Sequence, residues 1–296
     1  MQIVRDRVKN TIWITQSTYI KRAIEQLGMA NCNPSKTPMD LCCQLKKDSF
    51  LQKGEWVEYQ ATKEEQQGYQ SLVGTLLWIA CQTRPDIAFA VGKCSRYTAN
   101  PSPDHDKALK RIVRYLAETP DLGLRYGPTE GASGDLAGYT DASFGDCLDT
   151  KFSTSDYIYF LWNGPISWSS KRQTGVTTST AEAEYVGQCN AAKEAIFLAE
   201  ALNEVGYEGK DLKPVNLLAD NQAAIKMANN SVNQSKGKHI DMSYHYVRWV
   251  VADLKAIKIT YTPTQDMVAD GLTKPLDSVK FIRSRDLMGL SPTPVI

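Results

Sequence analysis

No apolar run in this sequence is long enough to cross a membrane. The longest, Leu72 to Cys81, is interrupted by Gly74 and Thr75 and falls short of the roughly 18 residues a spanning helix needs. The seven cysteines (Cys32, Cys42, Cys43, Cys81, Cys94, Cys147, Cys189) form no Cys-x-x-Cys pair and leave an odd one over. That argues against a zinc knuckle or a disulfide framework and for reduced thiols used in packing. The N-terminus lacks the continuous apolar core of a secretory signal, because Met1 to Arg7 alternates apolar and charged residues. The chain is therefore expected to stay inside the cell, with cytoplasm and nucleus equally open. Neither sign of charge dominates: a net charge of +1 does not by itself announce a nucleic-acid binder. The charge is locally uneven, however. Lys93, Arg96, Lys107, Lys110, Arg111 and Arg114 share a window with only Asp104 and Asp106, and local patches govern phosphate binding.

What is present is a globular composition, 42% hydrophobic and 23% charged over 296 residues, long enough for two domains of roughly 100 to 200 residues each. Residues 2 to 16 read as a hairpin turning at Lys9-Asn10. A helix follows, capped by Ser17 or Thr18 and ended by Gly28. Residues 46 to 67 are polar and rich in lysine and glutamate, the pattern of an exposed connection. Helices are predicted over 69 to 81 and 85 to 98. A third starts after Pro101-Ser102-Pro103, with Asp104 as cap and Leu109, Ile112, Val113 and Leu116 as buried stripe. The run Gly127 to Gly134 is rich in glycine, proline and serine, and periodicity changes from helical to strand-like beyond it. The domain boundary is placed there, giving residues 1–128, residues 136–276 and a C-terminal tail over 277–296.

The second half reads as strands over 136–142, 156–162 and 165–170, a long helix over 180–204, a strand over 214–219, helices over 221–228 and 239–252, a strand over 256–262 and a short helix from about 266. Three adjacent strands followed by alternating helix and strand suit an α/β mixed sheet with helices on its faces. On this layout four acids arrive at a common edge: Asp141 late in the first strand, Glu184 early in the long helix, Asp220 at the end of the fourth strand and Asp270 at the start of the last helix. Taken singly, each reads equally well as a cap or a solvated charge. Together they make a different object. Crowded carboxylates are mutually destabilising unless a cation neutralises them, and hard oxygen ligands select Mg2+ or Mn2+. Two such ions about 4 Å apart can activate a water and stabilise the leaving oxygen of a phosphodiester displacement.

The local context of these acids carries a family resemblance. The strings Gly138-Tyr139-Thr140-Asp141-Ala142-Ser143, Ile166 to Gln173 (ISWSSKRQ), Ser179-Thr180-Ala181-Glu182-Ala183-Glu184-Tyr185, Ala219-Asp220-Asn221-Gln222-Ala223-Ala224-Ile225, Lys238-His239-Ile240-Asp241 and Ala269-Asp270-Gly271-Leu272-Thr273-Lys274 closely resemble the ribonuclease H domain of copia-type long-terminal-repeat retrotransposon polyproteins. Upstream, Tyr69 to Trp78, Thr83 to Val91 and Lys110 to Leu116 resemble the thumb and connection region that follows the polymerase palm. The resemblance covers nearly the whole chain. It implies a ribonuclease-H-like mixed sheet with flanking helices over 136–276, preceded by a mainly helical thumb/connection-like region that opens on a hairpin.

The activity implied is a metal-dependent endonuclease cutting the RNA strand of RNA-DNA hybrids. Asp141, Glu184, Asp220 and Asp270 would hold two Mg2+ or Mn2+ ions, and a reverse transcriptase palm/fingers portion is the implied protein partner. The family's polymerase centre, a pair of adjacent aspartates in a Tyr-Val-Asp-Asp-type hairpin, is absent. DNA synthesis by this chain alone is not expected, and the chain is expected to correspond to the distal part of a reverse transcriptase.

Glu182 and Glu184 stand about 200° apart around a helix, so one of them faces the metals, and the setting of Glu184 better matches the family. Many ribonucleases H carry a histidine before the last aspartate, and Thr262 to Asp266 holds none. His239 and His245, six apart, do not form a zinc pair. Candidate contacts to nucleic acid are Lys171, Arg172 and Gln173, read as lying beside the scissile phosphate, with Lys107, Lys110, Arg111, Arg114 and Lys238. An A-form-like hybrid would be held through phosphates and 2′-hydroxyls. The competing readings are a non-catalytic nucleic-acid-binding remnant and a genomic relic whose first half folds only against the missing palm.

Overall fold

The computed structural model describes residues 1–52, 55–128, 134–207, 212, 214–229 and 245–294. These form two compact units. The first comprises Met1–Arg125, Cys147–Thr150 and Lys274–Ile296, and the second Tyr126–Asp146 and Lys151–Thr273. Most of the Gly127 to Gly134 run, residues 129–133, lies outside the described residues.

The first unit opens on the expected hairpin, β1 (Gln2–Asp6) and β2 (Thr11–Thr15), with Asp6 opposite Thr11. The Asp6 carboxylate accepts the N–H groups of Val8 and Lys9 and so shapes the turn. Helix α1 (Ser17–Gln26) follows, but its cap position is Gln16, without a side-chain cap bond. Neither expected cap, Ser17 or Thr18, takes that position, and Ser17 instead donates its hydroxyl to Asp121. Gly28 ends the helix at φ +65°, a conformation glycine adopts without a Cβ penalty.

The segment read as an exposed connection holds a second hairpin, β3 (Ser49–Gln52) and β4 (Glu55–Glu58). It also holds the first turn of α2 (Lys63–Gln82), which begins six residues earlier than periodicity suggested. The cause is a capping box: Thr62 accepts the Glu65 N–H while Glu65 accepts the Thr62 N–H. The helix expected over 85–98 is a 3-10 turn (Pro85–Ile87) leading into the shorter α3 (Ala88–Ser95). Helix α4 (Pro103–Glu118) is capped by Ser102 rather than Asp104. Pro103 takes the first helical position, where its missing N–H is no loss, and His105 Nδ1 accepts the Ser102 N–H.

The core of this unit joins Ile20 and Ile24 of α1, Leu72, Leu76 and Ile79 of α2, Val91 of α3 and the predicted stripe of α4. It also contains Phe281, which corrects the reading of 277–296 as a tail. Those residues form α8 (Ser278–Leu287), capped by Asp277, and β11 (Leu290–Pro292), antiparallel to β5 (Leu122–Tyr126). The Phe281 ring meets Tyr115 edge-on at 5.4 Å. A strand that pairs with a distant segment leaves no local period to read. The sheet order is β1-β2-β5-β11.

The second unit is built on β6 (Ala137–Ser143), β7 (Thr154–Leu161), β8 (Gly164–Arg172), β9 (Val215–Ala219) and β10 (Ile257–Tyr261), in the order β10-β9-β6-β7-β8. Neighbours β10/β9 and β9/β6 are parallel, while β6/β7 and β7/β8 are antiparallel. This is the mixed sheet expected from the element order. Helix α5 (Thr180–Glu204) lies on it through small residues: Ala183, Gly187, Ala191, Ala192, Ala195 and Ala199 are all buried. A Cβ at Gly138 would sit 2.2 Å from the Tyr159 ring, so glycine is required there. The Tyr159 hydroxyl then reaches the Ala191 carbonyl at 2.6 Å and fixes helix to sheet.

Helix α6 (Gln222–Asn229) is as expected. The start of the helix predicted over 239–252 lies outside the described residues, and its end is a π-type turn, Trp249–Asp253. The short helix expected from 266 is corrected to a 3-10 turn (Thr264–Asp266) followed by the four-residue α7 (Asp270–Thr273).

Candidate metal centre

Three of the four predicted acids converge. Asp141 comes from β6 at the centre of the sheet, Glu184 from the second turn of α5, and Asp220 from the residue after β9. Carboxylate oxygens of the three lie within 4.8 Å of one another. Asp141 and Glu184 are buried and Asp220 is half-buried. Burial, then Asp141 and Asp220, push the Glu184 carboxyl up to about 10, against only the N–H of Ala142 pulling it down. Glu184 Oε2 is buried without a hydrogen-bond partner. An all-oxygen donor set with an orphaned carboxylate oxygen and like charges pressed together fits a hard divalent cation. Asp270, the first residue of α7, is not one of the three, though its charge acts on the neighbouring Asp156.

Glu182 has a different occupation. Its carboxylate accepts the Thr178 N–H at 2.6 Å and the Thr178 hydroxyl at 2.7 Å, while its own N–H donates to Ser179. It closes the start of α5, as the 200° separation from Glu184 requires.

Two residues at this centre escaped the sequence reading. Thr273 donates its hydroxyl to Asp141 Oδ2 at 2.5 Å and is fully buried. Asp156 lies opposite Asp141 in the β6/β7 register and accepts the Asp141 N–H at 2.9 Å. Asp156 is 1% exposed, and burial first, then Asp141, raises its carboxyl well above the ordinary value. Only the hairpin register, not spacing along the chain, brings the two aspartates together.

The predicted nucleic-acid contacts separate by location. On β8, Lys171 is exposed and Arg172 half-buried over the Phe152 ring at 5.6 Å. Gln173 is buried, and its amide donates to Ser155 Oγ and to the Ala183 carbonyl, tying β7 and α5 together. On α4, Lys107 is exposed and Lys110 pairs with Asp106 at 2.6 Å. Arg111 pairs with Asp40 at 3.2 Å and bonds Thr37. Arg114 donates to the carbonyls of Asn33 and Pro34, so these two arginines hold a loop of their own unit. Lys238 and His239 lie outside the described residues, and His245 is exposed.

The chain matches no protein-family model. It is similar to the retrovirus-related Pol polyprotein from transposon TNT 1-94 of Nicotiana tabacum, 36% identical over 296 residues, 98% of this chain and 21% of the relative. The Pol polyprotein from transposon RE2 of Arabidopsis thaliana is 34% identical over 288 residues, 97% of this chain and 19% of the relative. The chain belongs to the copia-type, retrovirus-related Pol family. It spans about a fifth of the length of these Pol relatives. Among solved structures, a ribonuclease H1 isolated from compost is 14% identical with a TM-score of 0.36, covering 47% of this chain and 93% of that one. The second unit of this Pol segment is a five-stranded mixed sheet with flanking helices. No helix among the described residues is long and apolar enough to cross a membrane.

Proposed function

We propose that this Pol segment is a metal-dependent endonuclease that cleaves the RNA strand of RNA-DNA hybrids, leaving 3′-hydroxyl and 5′-phosphate ends. The observation that carries the reading is the convergence of Asp141, Glu184 and Asp220 from three separate elements, with a buried glutamate oxygen left without a partner. Asp141, Glu184 and Asp220 would hold divalent cations, Mg2+ or Mn2+, with Asp270 completing a site for two. The bound ions supply Lewis acidity to the phosphodiester and to an attacking water. The chain itself contributes order. Thr273 fixes one oxygen of Asp141, Asp156 holds its backbone N–H, and Thr264 donates to Asp220 Oδ2 at 2.9 Å. Three ligands held by different elements therefore need little reorganisation to meet an ion.

Lys171, Arg172 and the basic face of α4 are proposed contacts to the hybrid, and a reverse transcriptase palm/fingers portion is the proposed protein partner. Without adjacent aspartates, polymerase activity is not part of the proposal. The test is cleavage of an end-labelled RNA-DNA duplex by the purified chain in Mg2+, with Asp141→Asn and EDTA as controls. A magnesium-dependent RNA-strand cut that Asp141→Asn lacks supports the reading, and no cut above the Asp141→Asn level contradicts it.

A second reading, a non-catalytic nucleic-acid-binding remnant, draws on Asp156. This buried carboxyl, raised well above its ordinary value by burial and then by Asp141, adds a further acid beside the cation site. Hybrid binding without cleavage by the unaltered chain, and a cut gained on Asp156→Gly, would favour it.

A further inference from the structure

His105, the third residue of α4, is buried in the first unit. Because Ser102 donates its N–H to His105 Nδ1 at 2.9 Å, that nitrogen carries no proton, which leaves Nε2–H for the Lys46 carbonyl. The Tyr97 ring stacks on the imidazole with centroids 3.9 Å apart and planes 15° apart. The Tyr97 hydroxyl lies 2.8 Å from the Leu45 carbonyl and 3.1 Å from Asp149 Oδ2. Asp149 in turn accepts the Lys47 N–H at 3.0 Å. One imidazole therefore joins the start of α4 to residues 45–47 and, through Tyr97, to the Cys147–Thr150 stretch of the same unit.

The surroundings decide what a second proton would do. Burial pulls the imidazole below its ordinary 6.5, against the Lys46 carbonyl and the charges of Asp48, Asp104 and Asp149, which favour the charged form. Arg96 and the Cys147 thiol act on the stacked Tyr97, and the Lys47 ammonium turns to Glu58 at 3.8 Å. A proton on Nδ1 would set donor against donor at the Ser102 N–H. The Ser102 hydroxyl, 3.1 Å from Nδ1, can accept that proton, but the Ser102 N–H is then left in a buried site without its acceptor.

We infer that His105 is an acid-sensitive latch, whose protonation opens the first turn of α4 and frees residues 45–48 from it. The unfolded chain takes up this proton more readily than the folded one, so the latch's stability is fully present above 6.5 and is lost as pH falls below it. Glu184 and Asp156, both raised on folding, act in the opposite sense and in the other unit. No metal ligand takes part, so the latch stands apart from the nuclease reading.

The experiment is hydrogen exchange of the full chain, read by mass spectrometry from about pH 7.5 to about 5.5 and corrected for the intrinsic rate, with His105→Gln beside it. Glutamine makes a Ser-x-x-Gln capping box whose carbonyl accepts the Ser102 N–H without titrating, and circular dichroism checks its helix content. The reporters are the N–H groups of Lys47, bonded to Asp149, and Asp106, bonded to the Ser102 carbonyl at 3.1 Å. Their opening should rise by up to about tenfold per pH unit below 6.5 in the unaltered chain and stay level in His105→Gln. Level exchange in the unaltered chain would overturn the inference. So would an equal rise in His105→Gln, which moves the effect to Asp48, Asp104 or Asp149. Imidazole nitrogen shifts of the unaltered chain, with three histidines to assign, need no variant: Nδ1 of His105 should be unprotonated at neutral pH and titrate below 6.5. An Nδ1 that carries the proton at neutral pH, or a titration at or above 6.5, contradicts the latch.

Discussion

Each of the two units buries charge, and they resolve it in opposite ways. In the first, Arg84 is fully buried against Asp86 at 2.8 Å, with further bonds to the Thr119 carbonyl at 2.7 Å and hydroxyl at 2.8 Å. Tyr115 donates to the same Asp86 oxygen, Oδ2, at 2.6 Å, and Arg84 Nε donates to Oδ1 at 2.9 Å. Charge meets charge and every fork of the guanidinium is used, so the network is complete within the chain. In the second, Asp141, Asp156 and Glu184 are buried beside one another, and Glu184 Oε2 and Asp156 Oδ2 have no hydrogen-bond partner. The same desolvation penalty that Arg84 and Asp86 offset mutually is left standing here. A closed network stabilises a fold, whereas an open one of a single sign leaves a place for something of the other sign.

The largest expected effect breaks the open network. Asp141→Asn should lower hybrid cleavage by about a thousandfold or more, because several kcal/mol of charge stabilisation at the reacting phosphate go with the ligand. Stability in EDTA should hold or rise, since one like charge is removed. Initial rates and thermal melts on the same preparation test both halves.

Breaking the closed network should act on folding instead. Arg84→Met leaves Asp86 and the Thr119 carbonyl buried without their partner, and should cost about 3–5 kcal/mol. Urea unfolding reads this directly, and a loss below about 1 kcal/mol would show that the network is not closed as described.

Acidity sharpens the contrast further. The folded-state value of Glu184, about 10, stands above its ordinary 4.5, and Asp156 is raised in the same direction. Groups raised by folding contribute stability that is complete below the unfolded value and lost as pH climbs toward the folded one. In EDTA the melting temperature should therefore fall as pH rises through neutrality toward 10. Saturating Mg2+, which replaces the protons, should flatten that fall. A melt that is flat in EDTA over this window would contradict the coupling.

The smallest effect separates the two glutamates. Glu182→Ala removes the acceptor for Thr178 at the start of α5 and should cost about 1 kcal/mol, as capping losses do, with cleavage retained. Glu184→Ala should reverse the pattern. Cleavage lost in the first and kept in the second would exchange their roles.

Much of this was legible in the sequence. The bounds of α5 were read as 180–204 and are Thr180–Glu204, because a long periodic segment with a Ser179 cap and a run of alanines leaves little choice. The strands β6, β9 and β10 were each placed within a residue or two, and with them Asp141 and Asp220, whose motifs mark strand ends. What was missed depends on pairing. Asp156 was read as the first residue of a strand that begins at Thr154, and nothing local says that it faces Asp141. Thr273 reaches Asp141 from far along the chain, and β11 finds β5 across most of the molecule. Start signals of α2 and α4 were visible as Thr62/Glu65 and Ser102. They were passed over because the apolar period begins later than the cap.

The central claim is that the open carboxylate network of the second unit is a cation site, and calorimetric titration of Mg2+ into the full chain near pH 8 tests it most directly. Repeating the titration in buffers of different ionisation enthalpy counts the protons set free. The account predicts saturable binding with proton release, because Glu184 must give up its proton to ligate, and loss of that binding in Asp141→Asn. No saturable heat, or binding unchanged in Asp141→Asn, would contradict it.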